Sequence, residues 1–195
     1  LTPWADTLDR AQPLPEYPRP QMVRDSYLNL NGPWSYAITT SANKPAQADG
    51  TILVPFSPES ELSGVGHVLQ PEEYLWYIRT VTLPDGFNVG RVLLHFGAVD
   101  QIATVWCNGV ELAMHSGGYL PFTVDITEVL AKENTILVCV RDATNKSQLP
   151  RGKQTLHPHG IWYTPQSGIW QTVWLESVPQ NYIRSLHVTP LFDAH

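Results

Sequence analysis

Residues 92–127, VLLHFGAVDQIATVWCNGVELAMHSGGYLPFTVDIT, hold two strand-like runs, a hairpin signal and two turns in succession. In the first run Val92, Leu94 and Phe96 share one side of an extended chain, and Leu93 and His95 share the other. The second run, QIATVWC (101–107), leads into Asn108-Gly109, a dipeptide suited to the two left-handed positions of a tight hairpin. Trp106, just before that turn, is expected in the core. HSGGYLPF (115–122) has no following helix, no Lys and no G-x-x-x-x-G-K spacing, so it reads as a turn that packs Tyr119 and Phe122 inward. In DITEVLAKEN (125–134) Asp125 or Thr127 can cap a helical turn and Asn134 can end it.

Outward from this stretch the same texture continues. PWSYAI (33–38), TILV (51–54), WYIRTVTL (76–83), RVLLHF (91–96), TILVCVR (135–141), WQTVWLE (170–176) and YIRSLHVT (182–189) are β-branched or aromatic runs separated by Gly, Pro, Asn and Asp. Ile136, Val138 and Val140 fall on one face. Nothing of helical length competes, and turn signals every 8–12 residues or so predict an antiparallel sandwich, either jelly-roll or immunoglobulin-like. The first 30 residues differ: Pro3, Pro13, Pro15, Pro18 and Pro20 each remove a ladder donor, so the segment is expected to run over the sandwich surface as an extended arm.

Composition narrows the function. A chain of 195 residues is long enough for one domain with a hydrophobic core. The formal net charge of −6 offers no electrostatic gain toward nucleic acid or an anionic membrane, so neither is expected as a partner. No apolar run approaches the roughly 20 residues of a membrane span. The chain opens Leu1-Thr2-Pro3-Trp4 without the pattern of a signal peptide. Cys107 and Cys139, each inside an apolar run, are expected to be buried free thiols.

Convergent catalytic groups are scarce. Glu72 and Glu73 are adjacent and point to opposite faces of an extended chain. Glu59 and Glu61 lie in a Pro- and Gly-rich loop, where a solvated or interface role is expected. His157 and His159 have the i, i+2 spacing of metal ligands but lack a third ligand nearby, so neither a metal nor another cofactor is expected. What stands out is HPHGIWYTPQSGIW (157–170), rich in aromatic and turn-forming residues and free of acidic ones. Flat aromatic faces beside neutral hydrogen-bonding groups suit an uncharged polyol, which makes carbohydrate the expected ligand. Trp170 and Trp174, on one face of a strand, are expected in the core; Trp162 and Tyr163, between Gly160 and Pro165, are expected to be exposed.

LNLNGPWSYAI (28–38), VPFSPES (54–60), WYIRTVTLP (76–84), residues 92–127, NTILVCVRD (134–142) and SGIWQTVWLE (167–176) together resemble, in order, the N-terminal sugar-binding domain of glycoside hydrolase family 2, which includes β-galactosidases, β-glucuronidases and β-mannosidases. The resemblance spans roughly residues 22–180, and its specific elements are NG-x-W, H-x-GGY-x-PF-x-x-DIT and SGIW. It implies a galactose-binding-like jelly-roll β-sandwich over 22–180, preceded by the arm at 1–21. It implies that 181–195 begins the connection to an immunoglobulin-like domain and then a (β/α)8 barrel, so that the chain is a fragment whose catalytic glutamates lie elsewhere. In family members the loop before SGI reaches the barrel mouth and often contributes an Asp to the non-reducing end of a β-glycoside. Here no Asp or Glu occurs from Ala143 to Leu175. The resemblance therefore points to His157, His159, Trp162, Tyr163 and Gln166 as the rim of the substrate pocket, with Glu59, Arg151 and Gln154 at the barrel interface. It implies either a periplasmic or extracellular setting or a cytoplasmic one in a bacterium. An autonomous carbohydrate-binding module is the alternative that the same fold supports.

Overall fold

A computed structural model describes residues 1–19 and 21–192. Its strands are β1 (Tyr27–Asn29), β2 (Gly32–Thr39), β3 (Gly50–Val54), β4 (Tyr74–Thr82), β5 (Arg91–Phe96), β6 (Val99–Asp100), β7 (Ile102–Cys107), β8 (Val110–Ser116), β9 (Phe122–Asp125), β10 (Glu133–Arg141), β11 (Gly168–Ile169) and β12 (Val173–Val178). They form a four-stranded sheet in the order β1-β12-β5-β9 and a six-stranded sheet in the order β3-β2-β4-β10-β7-β8, with β11 paired to β6 alone. Every pairing among named strands is antiparallel. The two sheets make a jelly-roll sandwich. No helix among the described residues is long and apolar enough to cross a membrane.

The alternation read from sequence builds the space between the sheets. Val92, Leu94 and Phe96 of β5 meet Val105 and Cys107 of β7 and Ile136, Val138 and Val140 of β10, all fully buried in one cluster. Trp34 seals one end of it; its indole N–H donates to Leu30 O at 2.7 Å and its ring meets Tyr77 edge-on. Asn108 and Gly109 both take positive φ, as the hairpin between β7 and β8 requires. Both cysteines are free, Cys107 buried and Cys139 half-buried.

Several expectations are corrected. Residues 182–189 form no strand: with no neighbouring strand to supply ladder partners, the run stays irregular and leaves Ile183, Leu186 and Val188 exposed. The strand expected at 170–176 begins at Val173, because Trp170 to Thr172 turn the corner from β11. Asn134 does not end a helix. It is buried at the start of β10, where its side chain accepts from Ala131 N and donates to Ala131 O, after a single helical turn at Thr127–Val129 whose Thr127 N donates to Asp125 Oδ1. Trp106 is half-buried on the outer face of the large sheet beside Trp76, since β7 alternates without a break and Ala103, Val105 and Cys107 take the core side. Trp174 is buried, yet on the outer side of the small sheet, where it stacks on His95 with ring centroids 4.7 Å apart.

The N-terminal segment covers part of that outer face. Tyr17 Oη donates to Glu176 Oε2 at 2.7 Å, and Arg19 pairs with the other oxygen of the same carboxylate. The NG-x-W motif ties the segment down at its other end. Asn31 Nδ2 donates to Pro13 O and Asn31 Oδ1 accepts from Val173 N, while a Cβ at Gly32 would lie 2.7 Å from Ala11 O. Pro20 and residues 193–195 lie outside the described residues.

Candidate functional site

Between β10 and β11 the chain runs through residues 142–167 without a named strand, and this long connection carries the aromatic loop. It is pinned at two points. Lys153 O accepts from Tyr163 N at 2.8 Å and Thr155 N donates to Tyr163 O at 3.0 Å, a parallel bridge that closes a loop with residues 157–162 at its tip. At the return into β11, Ser167 N donates to Glu59 Oε2 at 3.0 Å, Ser167 Oγ donates to Asp142 Oδ2 at 2.8 Å and Ile169 N donates to Tyr77 Oη at 3.1 Å. Gly168 has φ +75°, and a Cβ there would lie 2.0 Å from Tyr77 Oη, so SGI folds this way only with glycine at its centre.

The pairing of β11 with β6 sets Gly168 opposite Asp100. The acid-free loop therefore rests on a carboxylate from a distant part of the chain. Asp100 is 2% exposed. Its Oδ2 accepts from Gln154 Nε2 at 2.9 Å, whereas its Oδ1 has no hydrogen-bond partner among the described residues. Gln154 also accepts from Gln166 N at 2.6 Å through its own Oε1, which makes it the bridge between carboxylate and loop. Gly118 of the GGY turn passes so close that a Cβ there would lie 2.3 Å from Asp100 Oδ1.

Above this carboxylate lies a cavity of about 230 Å³. Its aromatic walls are Tyr119, Tyr163 and Trp170, and its polar ones include Arg151, Lys153, Gln154, Thr164 and Gln166. Trp170 is held by its indole N–H, which donates to Gly118 O at 2.7 Å, and meets Tyr119 edge-on at 6.1 Å. Trp170 and Tyr119 are thus corrected from core to cavity wall; Tyr119 is 45% exposed. Phe122 does pack inward, against Phe96 and His115.

Of the five rim candidates, Tyr163 and Gln166 border the cavity, and both are exposed. Trp162 is half-buried under the Arg151 guanidinium, 5.9 Å from its ring, and not free as expected. His157 and His159 are exposed at the loop tip, where His159 Nδ1 lies 2.7 Å from His157 O; neither borders the cavity. Glu59 is not a solvated side chain, because it holds the backbone of Ser167 and Leu69. Asp100 lies outside the loop and is missed by inspecting it alone, while Trp170 lies within it but reads as core.

The electrostatics follow from burial. Desolvation pushes the Asp100 carboxyl up to about 7; the Gln154 donor works against that rise, and the neighbouring charges of Asp142 and Glu59 add to it. Burial also raises Glu59 and Asp142, although both accept backbone and hydroxyl donors. Asp100 near neutrality can thus present either a carboxylate or a carboxylic acid, and either form suits a sugar hydroxyl, which donates and accepts.

The model of the glycosyl hydrolases family 2 sugar binding domain matches residues 66–179, more than half of the chain. The chain belongs to this family. A β-galactosidase of Thermoanaerobacter pseudethanolicus is 30% identical over 175 residues, 85% of this chain and 22% of that protein. A β-glucuronidase of Paenibacillus borealis is 38% identical over 93 residues, covering 44% of this chain and 16% of that protein. Among solved structures, a Faecalibacterium prausnitzii β-glucuronidase superposes with a TM-score of 0.63 at 26% identity, covering 86% of this chain and 33% of that one. The family 2 chain described here thus spans a third or less of the length of these relatives.

Proposed function

We propose that this domain supplies one side of the substrate pocket of a larger exo-β-glycosidase, holding the non-reducing end of a β-glycoside while the catalytic carboxylates come from a barrel outside this chain. The observation that carries the reading is Asp100, buried at the edge of a cavity walled by Tyr119, Tyr163 and Trp170, with one carboxylate oxygen unused. Tyr163 and Gln166 serve in this reading as direct walls. His157, His159 and Trp162, at and beside the loop tip, form the rim that faces the rest of the enzyme. Residues 1–21 act as the arm, 22–180 as the sugar-binding body and 181–195 as the connector to a following immunoglobulin-like domain. The exposed Ile183, Leu186, Val188, Leu191 and Phe192 support the last assignment, since an apolar segment of this kind gains from a partner surface.

Hydrolysis by this chain alone is not expected. A retaining glycosidase needs two carboxyl groups roughly 5–5.5 Å apart, both free to reach the sugar. Asp100 is the one carboxylate bordering the cavity among the described residues, and Glu59 and Asp142 are occupied in holding Ser167. In an enzyme carrying this domain, Asp100→Asn and Tyr163→Ala are each expected to lower kcat/KM by about tenfold or more, and Trp162→Ala and His159→Ala by more than about threefold. Values within threefold of the parent for Asp100→Asn and Tyr163→Ala would sink the reading.

An autonomous carbohydrate-binding module is the second reading, favoured by a cavity formed wholly within this chain. Titration of the 15N-labelled chain with galactose, glucose, mannose, arabinose and glucuronate into the tens of millimolar separates the two, since a site of this size is expected near the weak limit of about 1 mM. Saturable shifts at Tyr163, Gln166 and Trp170 favour the module; their absence with every sugar leaves only the pocket shared with a barrel.

A further inference from the structure

A larger cavity than that one lies elsewhere. It has a volume of about 580 Å³ and lies on the outer side of the small sheet. Its floor is made of outward side chains of β5, β9 and β12; one wall comes from the N-terminal segment and the other from residues 180–184. Twelve residues of the chain are Lys or Arg and four of these are Lys, so eight are Arg. Four of the eight, Arg19, Arg24, Arg91 and Arg184, border this one space.

The charges there do not balance. Arg19 is paired with Glu176, and Arg91 with Asp125. Arg24 and Arg184 have no ion pair among the described residues, and no third carboxylate borders the cavity. Arg24 donates through Nη2 to Ile183 O at 2.6 Å, a bond that leaves its charge uncompensated. Its Nε and that of Arg19 are buried donors without a partner among the described residues. Concentrating half of the arginines in one cavity of a chain with net charge −6 costs self-repulsion, and unpaired buried donors add to that cost. Planar guanidinium groups arrayed around a cleft are a usual means of holding an oxyanion, by charge and by paired N–H donors.

We propose that this cavity binds a small oxyanion, a phosphate or a carboxylate borne on a small molecule, between Arg24 and Arg184, and that the bound anion clasps the N-terminal segment and residues 180–184 to the small sheet. The site shares no residue with the sugar cavity and does not depend on it.

The test reads the arginine Nε–Hε signals of the 15N-labelled full chain at constant ionic strength. Three ligands are added separately: inorganic phosphate, glucuronate and, as a neutral control, glucose. Saturable shifts of Arg24 and Arg184 are expected with millimolar affinity, by phosphate, by glucuronate or by both, and not by glucose. The responding ligand tells a free phosphate from a sugar-borne carboxylate. Arg24→Gln and the exposed Arg184→Gln, which lies in irregular chain and leaves the sandwich intact, are each expected to weaken binding about tenfold. No saturable shift up to about 20 mM, an equal response to glucose, or affinity unchanged in Arg184→Gln and Arg24→Gln would each overturn the proposal.

Discussion

Asp100 and Glu176 are both almost completely buried carboxylates on short antiparallel strands of the same sandwich, and they end with opposite protonation behaviour. At Glu176 burial works against the charged form, but His95, Arg19 and Tyr17 outweigh it and hold the carboxyl down to about 2. At Asp100 a single neutral donor, Gln154, faces the same penalty, and the carboxyl rises to about 7. What decides between them is the number and charge of the donors the fold delivers, since burial is common to both. One carboxylate is a structural clamp for the N-terminal segment; the other keeps an unused oxygen at a cavity edge.

The largest expected effect breaks the clamp. Glu176→Gln leaves Arg19, 29% exposed at its side chain, without its countercharge, and is expected to cost roughly 3 kcal/mol in denaturant unfolding, less than a fully buried pair because Arg19 is partly solvated. The native charge also carries a pH signature. Because the folded value is depressed, the stabilisation from Glu176 is complete above its ordinary 4.5 and is lost as pH falls toward about 2. Asp100 has the reverse sign. Its folded value is raised, so stability is highest below 3.8 and falls as pH rises toward about 7. Asp100→Asn, which keeps an acceptor for Gln154, is therefore expected to raise stability at pH 8 by roughly 1–2 kcal/mol and to flatten the pH dependence between 4 and 7. Thermal melts of both proteins across that range check it. The smallest effect on folding belongs to Tyr163→Ala, since Tyr163 is 64% exposed. Its unfolding free energy should stay within about 0.5 kcal/mol of the parent. The same substitution should abolish any saturable sugar shift at Trp170.

The sandwich was legible because its inner faces obey period two: Val92, Leu94 and Phe96, or Ile136, Val138 and Val140, are apolar at every second position. The outer faces misled. Trp174 and Trp106 read as core from residue type, whereas alternation with Val173 and Leu175, and with Val105 and Cys107, sends both outward, and the covering by the N-terminal segment that buries Trp174 leaves no periodic trace. The site was half legible. The aromatic loop announced itself by composition, and Tyr163 and Gln166 do border a cavity. Asp100 was hidden because it reaches the loop through the two-residue pairing of β6 with β11, too short for any pattern, from a strand more than fifty positions upstream. The signal present was Gly118: a glycine with no room for a Cβ marks a close approach, here to Asp100. The run at 182–189 shows the opposite failure, with strand-like composition but no neighbouring strand to complete its hydrogen bonds.

The contrast between the two buried carboxylates is tested most directly by following the 13C carboxyl resonances of Asp100 and Glu176 from pH 2 to pH 9 in one labelled sample. The account predicts midpoints near 7 for Asp100 and near 2 for Glu176. An Asp100 midpoint at or below about 4, its ordinary value, would contradict it, because the carboxylate would then be solvated or fully partnered and the cavity would hold no poised oxygen for a sugar hydroxyl.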